Sequence, residues 1–330
     1  MRLSVFAALA LTLLPITASA QSLASPLGNT NTFSITVTPQ YPAPLGQAVI
    51  SLLSSELDLT NATVSVSVNG KQIYKGSARP IIVPLGKGGS VSTVLVTVSY
   101  GDGQYQESVT IQPQEVSLIA EPVATAPALY LGKPFVPLEG TTRVVAVASL
   151  RDAGGKTIDP ATLSYAWTVD GAQIAGSSGI GKSAVMVASP LRYRNRQVSV
   201  AIQSQDGALV GGAALSLSSE EPRIRIYENN PLLGIRYDHA LSNTYAIAES
   251  EASLYAAPYS LPKLGRAPVL RWFLNGSPAQ TGSSLTLRPA GVGRGTAELS
   301  VTASAGTEAI ATAALTISFG SQAGSNFFGL

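Results

Sequence analysis

The strongest constraint in the sequence is a turn motif that recurs about every 100 residues, the length of one small domain. In each copy, an apolar residue is followed three positions later by Asn-Gly or Asp-Gly: Val66-Ser-Val-Asn69-Gly70, Trp167-Thr-Val-Asp170-Gly171 and Trp272-Phe-Leu-Asn275-Gly276. Both central residues of a tight β-hairpin turn need positive φ, which Gly, Asn and Asp tolerate best. The sequence therefore predicts three hairpin turns, at Asn69-Gly70, Asp170-Gly171 and Asn275-Gly276.

The segments around these turns alternate between apolar residues and Ser, Thr or Gln with a period of two. This period is typical of strands with one buried and one solvated face, and no segment shows a convincing helical period. Each repeat has an opening strand, at residues 33–38, 115–120 and 223–227. Each also has a closing pair, at residues 94–98 with 107–111, 197–202 with 213–218, and 297–302 with 311–318. We predict an all-β chain of three tandem immunoglobulin-like (Ig-like) β-sandwiches.

The domain boundaries follow from the same pattern. We assign a signal peptide to residues 1–20, an N-terminal linker to 21–31 and a flexible C-terminal tail to 320–330. The Ig-like domains are predicted at residues 32–113, 114–221 and 222–319.

The strand that carries Trp167 also resembles a known family. Tyr165-Ala-Trp167-Thr-Val-Asp170-Gly171 is similar to the Tyr-x-Trp-x-x-x-Gly strand of PKD-type and related bacterial Ig-like domains. The acidic turn that follows the Trp strand in the full PKD signature is absent. The whole chain also resembles uncharacterised secreted bacterial proteins built from such tandem modules. This resemblance implies an extracellular architecture and assigns no chemistry.

The first twenty residues have the pattern of an export signal. Arg2 is followed by an apolar run over residues 3–14, and Ala18-Ser-Ala20 matches the small-x-small pattern of a cleavage site. The alternative is a retained membrane anchor, but the run is shorter than the roughly 20 residues needed to cross a bilayer. We expect an exported protein in the extracellular space, at the cell surface or in the periplasm, with no transmembrane span after cleavage.

Composition excludes several kinds of chemistry. The chain has no Cys and one His, which excludes disulfides, thiolate metal sites and multi-histidine metal sites. A net charge of +2, with only 12% charged residues, argues against nucleic acid as a partner. Without disulfides, each domain needs an ordinary apolar core. We predict that Val66, Trp167 and Trp272 belong to those cores, rather than that the tryptophans form sugar-binding platforms.

Other motifs have simpler structural interpretations than their functional ones. Residues 176–183 match Gly-x-x-x-x-Gly-Lys-Ser, but a phosphate loop needs a following helix, and a strand is predicted here. His239 follows Asp238, yet neighbours in a strand point to opposite faces. Turn aspartates, or Glu220-Glu221 at a domain junction, could bind calcium, but the carboxylates are scattered. We expect no cofactor and no metal site.

Two segments are candidates for partner contact. The first is the basic cluster Arg192-Tyr193-Arg194-Asn-Arg196, whose arginines are expected on one face of a strand. The alternative is a solvated edge strand whose charges prevent aggregation. The second is the pair Phe327-Phe328 near the C-terminus, because exposed paired aromatics are unusual for a soluble chain. The alternative there is a loose tail.

Taken together, these patterns favour a non-enzymatic, exported protein of the cell surface or envelope. It would act as a structural spacer, adhesion protein or protein-interaction module, with a protein or glycan as its partner. The alternatives are a carbohydrate-binding or hydrolase-associated module, or an envelope assembly factor for a pilus or secretion machine.

Overall fold

The computed structural model describes residues 32–128, 130–247, 250–265, 267–290, 293–307 and 309–320. The predicted signal peptide, the linker and Phe327-Phe328 lie outside the described residues. The chain divides into two compact units, Met1–Pro113 and Gln114–Leu330. Within the described residues, no helix has both the length and the apolar composition required to cross a membrane.

The first unit contains one β-sandwich. Its strands are β1 (Ser34–Thr38), β2 (Gln47–Leu53), β3 (Thr63–Val68), β4 (Lys71–Ser77), β5 (Ile81–Pro84), β6 (Ser92–Tyr100) and β7 (Gly103–Ile111). They form two antiparallel sheets with the orders β1-β2-β5 and β4-β3-β6-β7. Alternate residues such as Ile50, Val66 and Val96 face inward and are fully buried between the sheets.

The second unit contains two sandwiches, of which the first repeats this plan. Its strands are β8 (Glu115–Pro122), β9 (Thr141–Ser149), β10 (Ser164–Val169), β11 (Ala172–Gln173), β12 (Gly179–Ile180), β13 (Ala184–Ala188), β14 (Asn195–Gln203) and β15 (Val210–Ser218). The sheet orders are β13-β9-β8 and β11-β10-β14-β15, and β12 also pairs with β10. The phosphate-loop-like segment, residues 176–183, is followed by strand β13, as predicted, and Lys182 Nζ donates to the carbonyl of Gly176 at 2.8 Å.

The third sandwich adds two strands to the plan. Its strands are β16 (Arg223–Asn230), β17 (Gly234–Leu241), β18 (Thr244–Ile247), β19 (Ala252–Tyr259), β20 (Val269–Leu274), β21 (Ser277–Thr281), β22 (Ser284–Leu287), β23 (Gly295–Ala305) and β24 (Ala309–Phe319). The sheet orders are β17-β16-β19-β22 and β18-β24-β23-β20-β21. The additional strands are β17, which extends one sheet beyond β16, and β18, which pairs in parallel with β24.

These sheets define the chain as a tandem array of three Ig-like β-sandwiches, as the sequence predicts. In each, the opening strand lies in one sheet and the strand that carries Val66, Trp167 or Trp272 lies in the other. Three separate clusters of buried apolar side chains fill the spaces between the sheets. Each sandwich therefore has a core of its own.

The hairpin turns have the backbone geometry that their sequence requires. Asp170 has φ +48° and Gly171 has φ +82°, which is the left-handed region needed at both positions of a type I′ turn. The Asp170 side chain also accepts a hydrogen bond from the backbone N–H of Gln197 at 2.9 Å. The turns Asn69-Gly70 and Asn275-Gly276 repeat this arrangement, with side-chain acceptors for the backbone N–H groups of Thr93 and Glu298. Each turn is thus tied to the strand beside it.

The two tryptophans are fully buried, and both indole N–H groups are paired. Trp167 Nε1 donates to the Lys182 carbonyl at 2.8 Å, and Trp272 Nε1 donates to the Gly282 carbonyl at 2.9 Å. A buried indole without a partner would be costly, so these carbonyls explain how each core accepts the ring.

Candidate interaction surface at the junction of the second and third sandwiches

One long connection of the second sandwich packs against the third sandwich inside the second unit. Residues 123–140 link β8 to β9, and this segment lies along residues 260–263 of the third sandwich. Thr125 is its centre: its N–H donates to the Leu261 carbonyl at 2.7 Å, and its carbonyl accepts from the N–H of Ser260 at 2.9 Å. Its Oγ1 also accepts from the N–H of Leu261 at 3.0 Å. All three residues are buried.

Further bonds extend the junction on both sides of Thr125. Ser260 Oγ accepts from the N–H of Phe135 at 2.9 Å, and the Lys263 N–H donates to the Val123 carbonyl at 3.0 Å. The Glu139 carboxylate accepts from Thr307, from Oγ1 at 2.7 Å and from the backbone N–H at 3.1 Å. These backbone and side-chain bonds explain why the two sandwiches form one compact unit.

Five tyrosines, which we call the tyrosine cluster, meet beside this junction: Tyr130, Tyr227, Tyr237, Tyr255 and Tyr259. Edge-to-face ring contacts join Tyr130 to Tyr259 with centroids 5.5 Å apart, Tyr227 to Tyr237 at 5.2 Å, and Tyr237 to Tyr255 at 6.3 Å. The hydroxyls of Tyr227 and Tyr259 lie 2.8 Å apart in a hydrogen bond. The five rings therefore form one continuous group.

The tyrosine cluster lies on the outer face of the sheet β17-β16-β19-β22. Ile226 and Leu254 point into the core, so their neighbours Tyr227 and Tyr255, which face each other across β16 and β19, point outward. Tyr237 comes from the additional strand β17, and Tyr130 comes from the 123–140 connection. Tyr227 is buried under its neighbours, whereas Tyr130 is 44% exposed.

Two phenols of the tyrosine cluster, those of Tyr237 and Tyr259, have raised pKa values. Burial is the main cause, and the hydrogen bond with Tyr227 the second, of a pKa of Tyr259 that lies well above its usual value. Burial is also the main cause of the raised pKa of Tyr237, and the neighbouring phenol of Tyr255 is the second cause. The surface thus combines aromatic rings with phenol hydroxyl groups.

The polar groups around the rings are both charged and neutral. Arg223 and Arg225 alternate along β16 with the buried Ile224 and Ile226, so they share the outer face with the tyrosine cluster, and Arg223 lies opposite Tyr259. The alternation of β16 places Asn229 on the same face as Tyr227, and that of β19 does the same for Ser253 and Tyr255. The Ser253 hydroxyl is hydrogen-bonded to that of Thr286 at 3.0 Å.

The tip of the β16–β17 hairpin is exposed, and a side chain at its base accepts two hydrogen bonds from the turn. The Asn230 side chain accepts from the N–H groups of Leu232 and Leu233 at 2.9 and 3.0 Å. Leu232 is 94% exposed. The nearby charges of Arg236 and Asp238 form an ion pair at 3.1 Å, so they add little net charge to this edge.

The basic cluster of the second sandwich does not have the predicted strand geometry. Arg192 and Tyr193 lie in a turn, where Tyr193 has φ +63° and is 93% exposed, and β14 begins only at Asn195. β14 also lies between β10 and β15 rather than at a sheet edge. The expectation that Arg192, Arg194 and Arg196 share one strand face, or an edge strand, is therefore wrong.

The charges of the basic cluster are instead directed to different partners. Arg192 pairs with Glu221 at 2.9 Å, and Arg196 pairs with Asp170, in the hairpin turn, at 3.2 Å. The Arg192–Glu221 pair is exposed and the Arg196–Asp170 pair is partly exposed, so each contributes little to stability.

The remaining titratable candidates are dispersed. His239 is exposed on β17, and Asp206 lies in a turn where a hydrogen bond from Ser204 lowers the pKa of its carboxyl. Glu220 lies 3.9 Å from Arg223. Among the described residues, no group of three or more His, Asp or Glu side chains is arranged to hold a metal ion.

Comparisons with known proteins found no matching family model and no matching curated protein. Among solved structures, the three N-terminal domains of the bacteriophage RB49 highly immunogenic outer capsid protein are 14% identical, with a TM-score of 0.25 over 88% of this chain and 99% of that one. The central fibronectin-III array of RIM-binding protein is 9% identical, with a TM-score of 0.30 over 88% and 96%.

A Bacteroides ovatus protein, SGBP-B of a mixed-linkage glucan utilization locus, solved with a mixed-linkage heptasaccharide, is 11% identical. Its TM-score is 0.24 over 88% of this chain and 71% of that one. The fold assignment rests on the sheets and cores described above, and these likenesses add no argument about function.

Proposed function

We propose that the protein is a non-enzymatic, exported array of Ig-like sandwiches that holds an interaction surface at the cell surface or in the envelope. The observation that supports this proposal is the junction around Thr125, whose connection carries Tyr130 against the tyrosines on the outer face of the third sandwich. Exposed aromatics held in a rigid frame are typical of protein and ligand contact surfaces, because little side-chain entropy is lost on binding.

The mechanism in this proposal is display. The sandwiches supply stable frames through their separate cores, and the connections between strands carry the contact residues. The apolar run at residues 3–14 and the Ala18-x-Ala20 pattern support export.

The proposal is tested by fractionation of host cells and proteinase treatment of intact cells, with mass spectrometry of the released peptides. We expect a mature N-terminus at Gln21, and peptides from all three sandwiches if the protein faces the outside. Protection from the proteinase together with recovery in the soluble envelope fraction would place it inside the envelope. A cytosolic protein that retains residues 1–20 would refute the proposal.

A further inference from the structure

Three buried side-chain oxygens of the described residues have no hydrogen-bond partner in the chain, and all three belong to the second sandwich. They are the hydroxyl oxygens of Thr142, Ser189 and Ser219. A buried hydroxyl group without a partner destabilises a fold, so native proteins pair nearly all such groups with the chain or with ordered water. Three unpaired groups in one sandwich therefore indicate a site that binds a polar ligand.

Two of these hydroxyls lie on the inner face of the sheet β13-β9-β8, at one end of it. Strands β9 and β13 pair Thr142 with Val187, and both residues are buried. Ser189 lies two residues after Val187, so its side chain points to the same side, into the sandwich. The Ser189 N–H donates to the Gly140 carbonyl at 3.0 Å, which continues the pairing of the two strands by one step. Thr142 and Ser189 are therefore diagonal neighbours on this face.

The third hydroxyl, that of Ser219, comes to the same end of the sandwich from the other sheet. Ser219 follows the last residue of β15, and that end of β15 pairs with the start of β14. A short link joins β13 to β14, so β13 and β15 end at the same pole of the sandwich. The next residue, Glu220, donates its N–H to the carbonyl of Val136 at 2.9 Å, and Val136 is part of the buried core. The 123–140 connection thus closes the pole where the three hydroxyls lie.

We propose that this pole binds buried water, held by the hydroxyls of Thr142, Ser189 and Ser219. A hydroxyl group can both donate and accept, and a buried water molecule typically makes about three hydrogen bonds to groups that lack other partners. An apolar ligand would leave the hydroxyls unpaired, and a buried ion would need charged groups that these three residues do not supply. The water joins the inner faces of the two sheets beneath the connection that carries Tyr130. This site lies in the core and does not depend on the proposed export and display role.

The first test is urea unfolding of the full-length protein, followed by tryptophan fluorescence. Thr142→Val keeps the shape of the side chain and removes the hydroxyl, so loss of its bond to water should lower the urea midpoint by about 0.5 M. A hydroxyl that is simply unpaired predicts an unchanged or raised midpoint, because Val removes the unpaired group and adds a methyl. Thr312→Val, at an exposed position, is the matched control. Ser219→Ala is a milder change that should also lower the midpoint, and its control is Ser218→Ala, at the exposed serine beside it.

The direct test is a crystal structure of the full-length protein at high resolution. We expect an electron-density peak about 2.5–3.0 Å from Thr142 Oγ1 and from the hydroxyl of Ser189 or Ser219, with two to about four polar neighbours. A peak with six or more oxygen neighbours at about 2.3–2.6 Å would identify a cation instead. Such a cation, the absence of any peak, or an unchanged or raised urea midpoint in Thr142→Val would each overturn the inference.

Discussion

The junction between the second and third sandwiches can be tested by one nearly isosteric substitution, Thr125→Val. The change keeps the shape of the side chain and removes Oγ1, the acceptor for the N–H of Leu261. The backbone bonds of Thr125 to Ser260 and Leu261 remain available. The substitution therefore removes a single interaction between the two sandwiches.

The magnitude follows from the burial of the group that loses its partner. Leu261 is fully buried, so its N–H cannot bond to water instead, and leaving a buried donor unpaired costs about 1–3 kcal/mol. The added methyl group of Val offsets part of this cost, at up to about 0.8 kcal/mol. We expect a net loss of about 1–2 kcal/mol in the free energy of unfolding of the second unit, a factor of roughly 5–30 in the folded-to-unfolded ratio.

Tryptophan fluorescence is a selective assay for this unit. The chain has two tryptophans, Trp167 in the second sandwich and Trp272 in the third, so the first sandwich contributes no signal. With a urea dependence of roughly 2 kcal/mol per molar, the midpoint should fall by about 0.5–1 M with little change in slope. Thr312→Val, the same substitution at an exposed position of β24, should shift the midpoint much less.

An equal midpoint for Thr125→Val and Thr312→Val would refute the argument that the junction stabilises the unit. Two separate transitions in the wild-type protein would also refute it, because they would show that the two sandwiches unfold independently.

Two further predictions concern the turns and the tyrosine cluster. Gly171→Ala should lower the free energy of unfolding by about 1 kcal/mol, because φ is +82° there, although no atom crowds a new Cβ. Gly176→Ala is the matched control, because that position is also uncrowded but has no positive φ. Equal urea midpoints for the two variants would contradict the turn argument. The raised pKa of Tyr259 means that the folded state holds its phenol proton more tightly, so this contribution to stability is present below about pH 10 and is lost as pH rises further. Tyr259→Phe should therefore reduce the alkaline loss of stability, and an unchanged pH dependence would contradict this assignment.

The sequence predicted the parts of the fold that depend on local chemistry. The turn at Asp170-Gly171 is encoded by two neighbouring residues whose backbone preferences match a type I′ hairpin, and the same holds in the other repeats. The period-two alternation predicted the closing strands, which lie within β6 and β7, β14 and β15, and β23 and β24. These features need no information about distant parts of the chain.

Nonlocal features were harder to predict. The arginines of residues 192–196 alternate as in a strand, but Tyr193 lies in a turn that precedes β14. Arg196 then forms an ion pair with Asp170 in the hairpin turn. The indole of Trp167 required a carbonyl partner, yet the sequence alone did not identify Lys182, fifteen residues away, as its source. In both cases the outcome depends on which backbone groups the completed sheets bring together.

The tyrosine cluster was missed because the repeats were compared only by what they share. Aligned on their turns, the repeats differ in length between the opening strand and the turn: Asn69 follows the first opening strand closely, whereas Asp170 and Asn275 lie much farther along. The additional residues supply Tyr130 and Tyr237, and four of the five cluster tyrosines fall between residues 227 and 259. Shared residues build the sandwich frame, because every copy needs the same core and turns. Residues that occur in one repeat only are not needed for that frame. They can therefore change without loss of the fold, and we expect contacts specific to this protein among them.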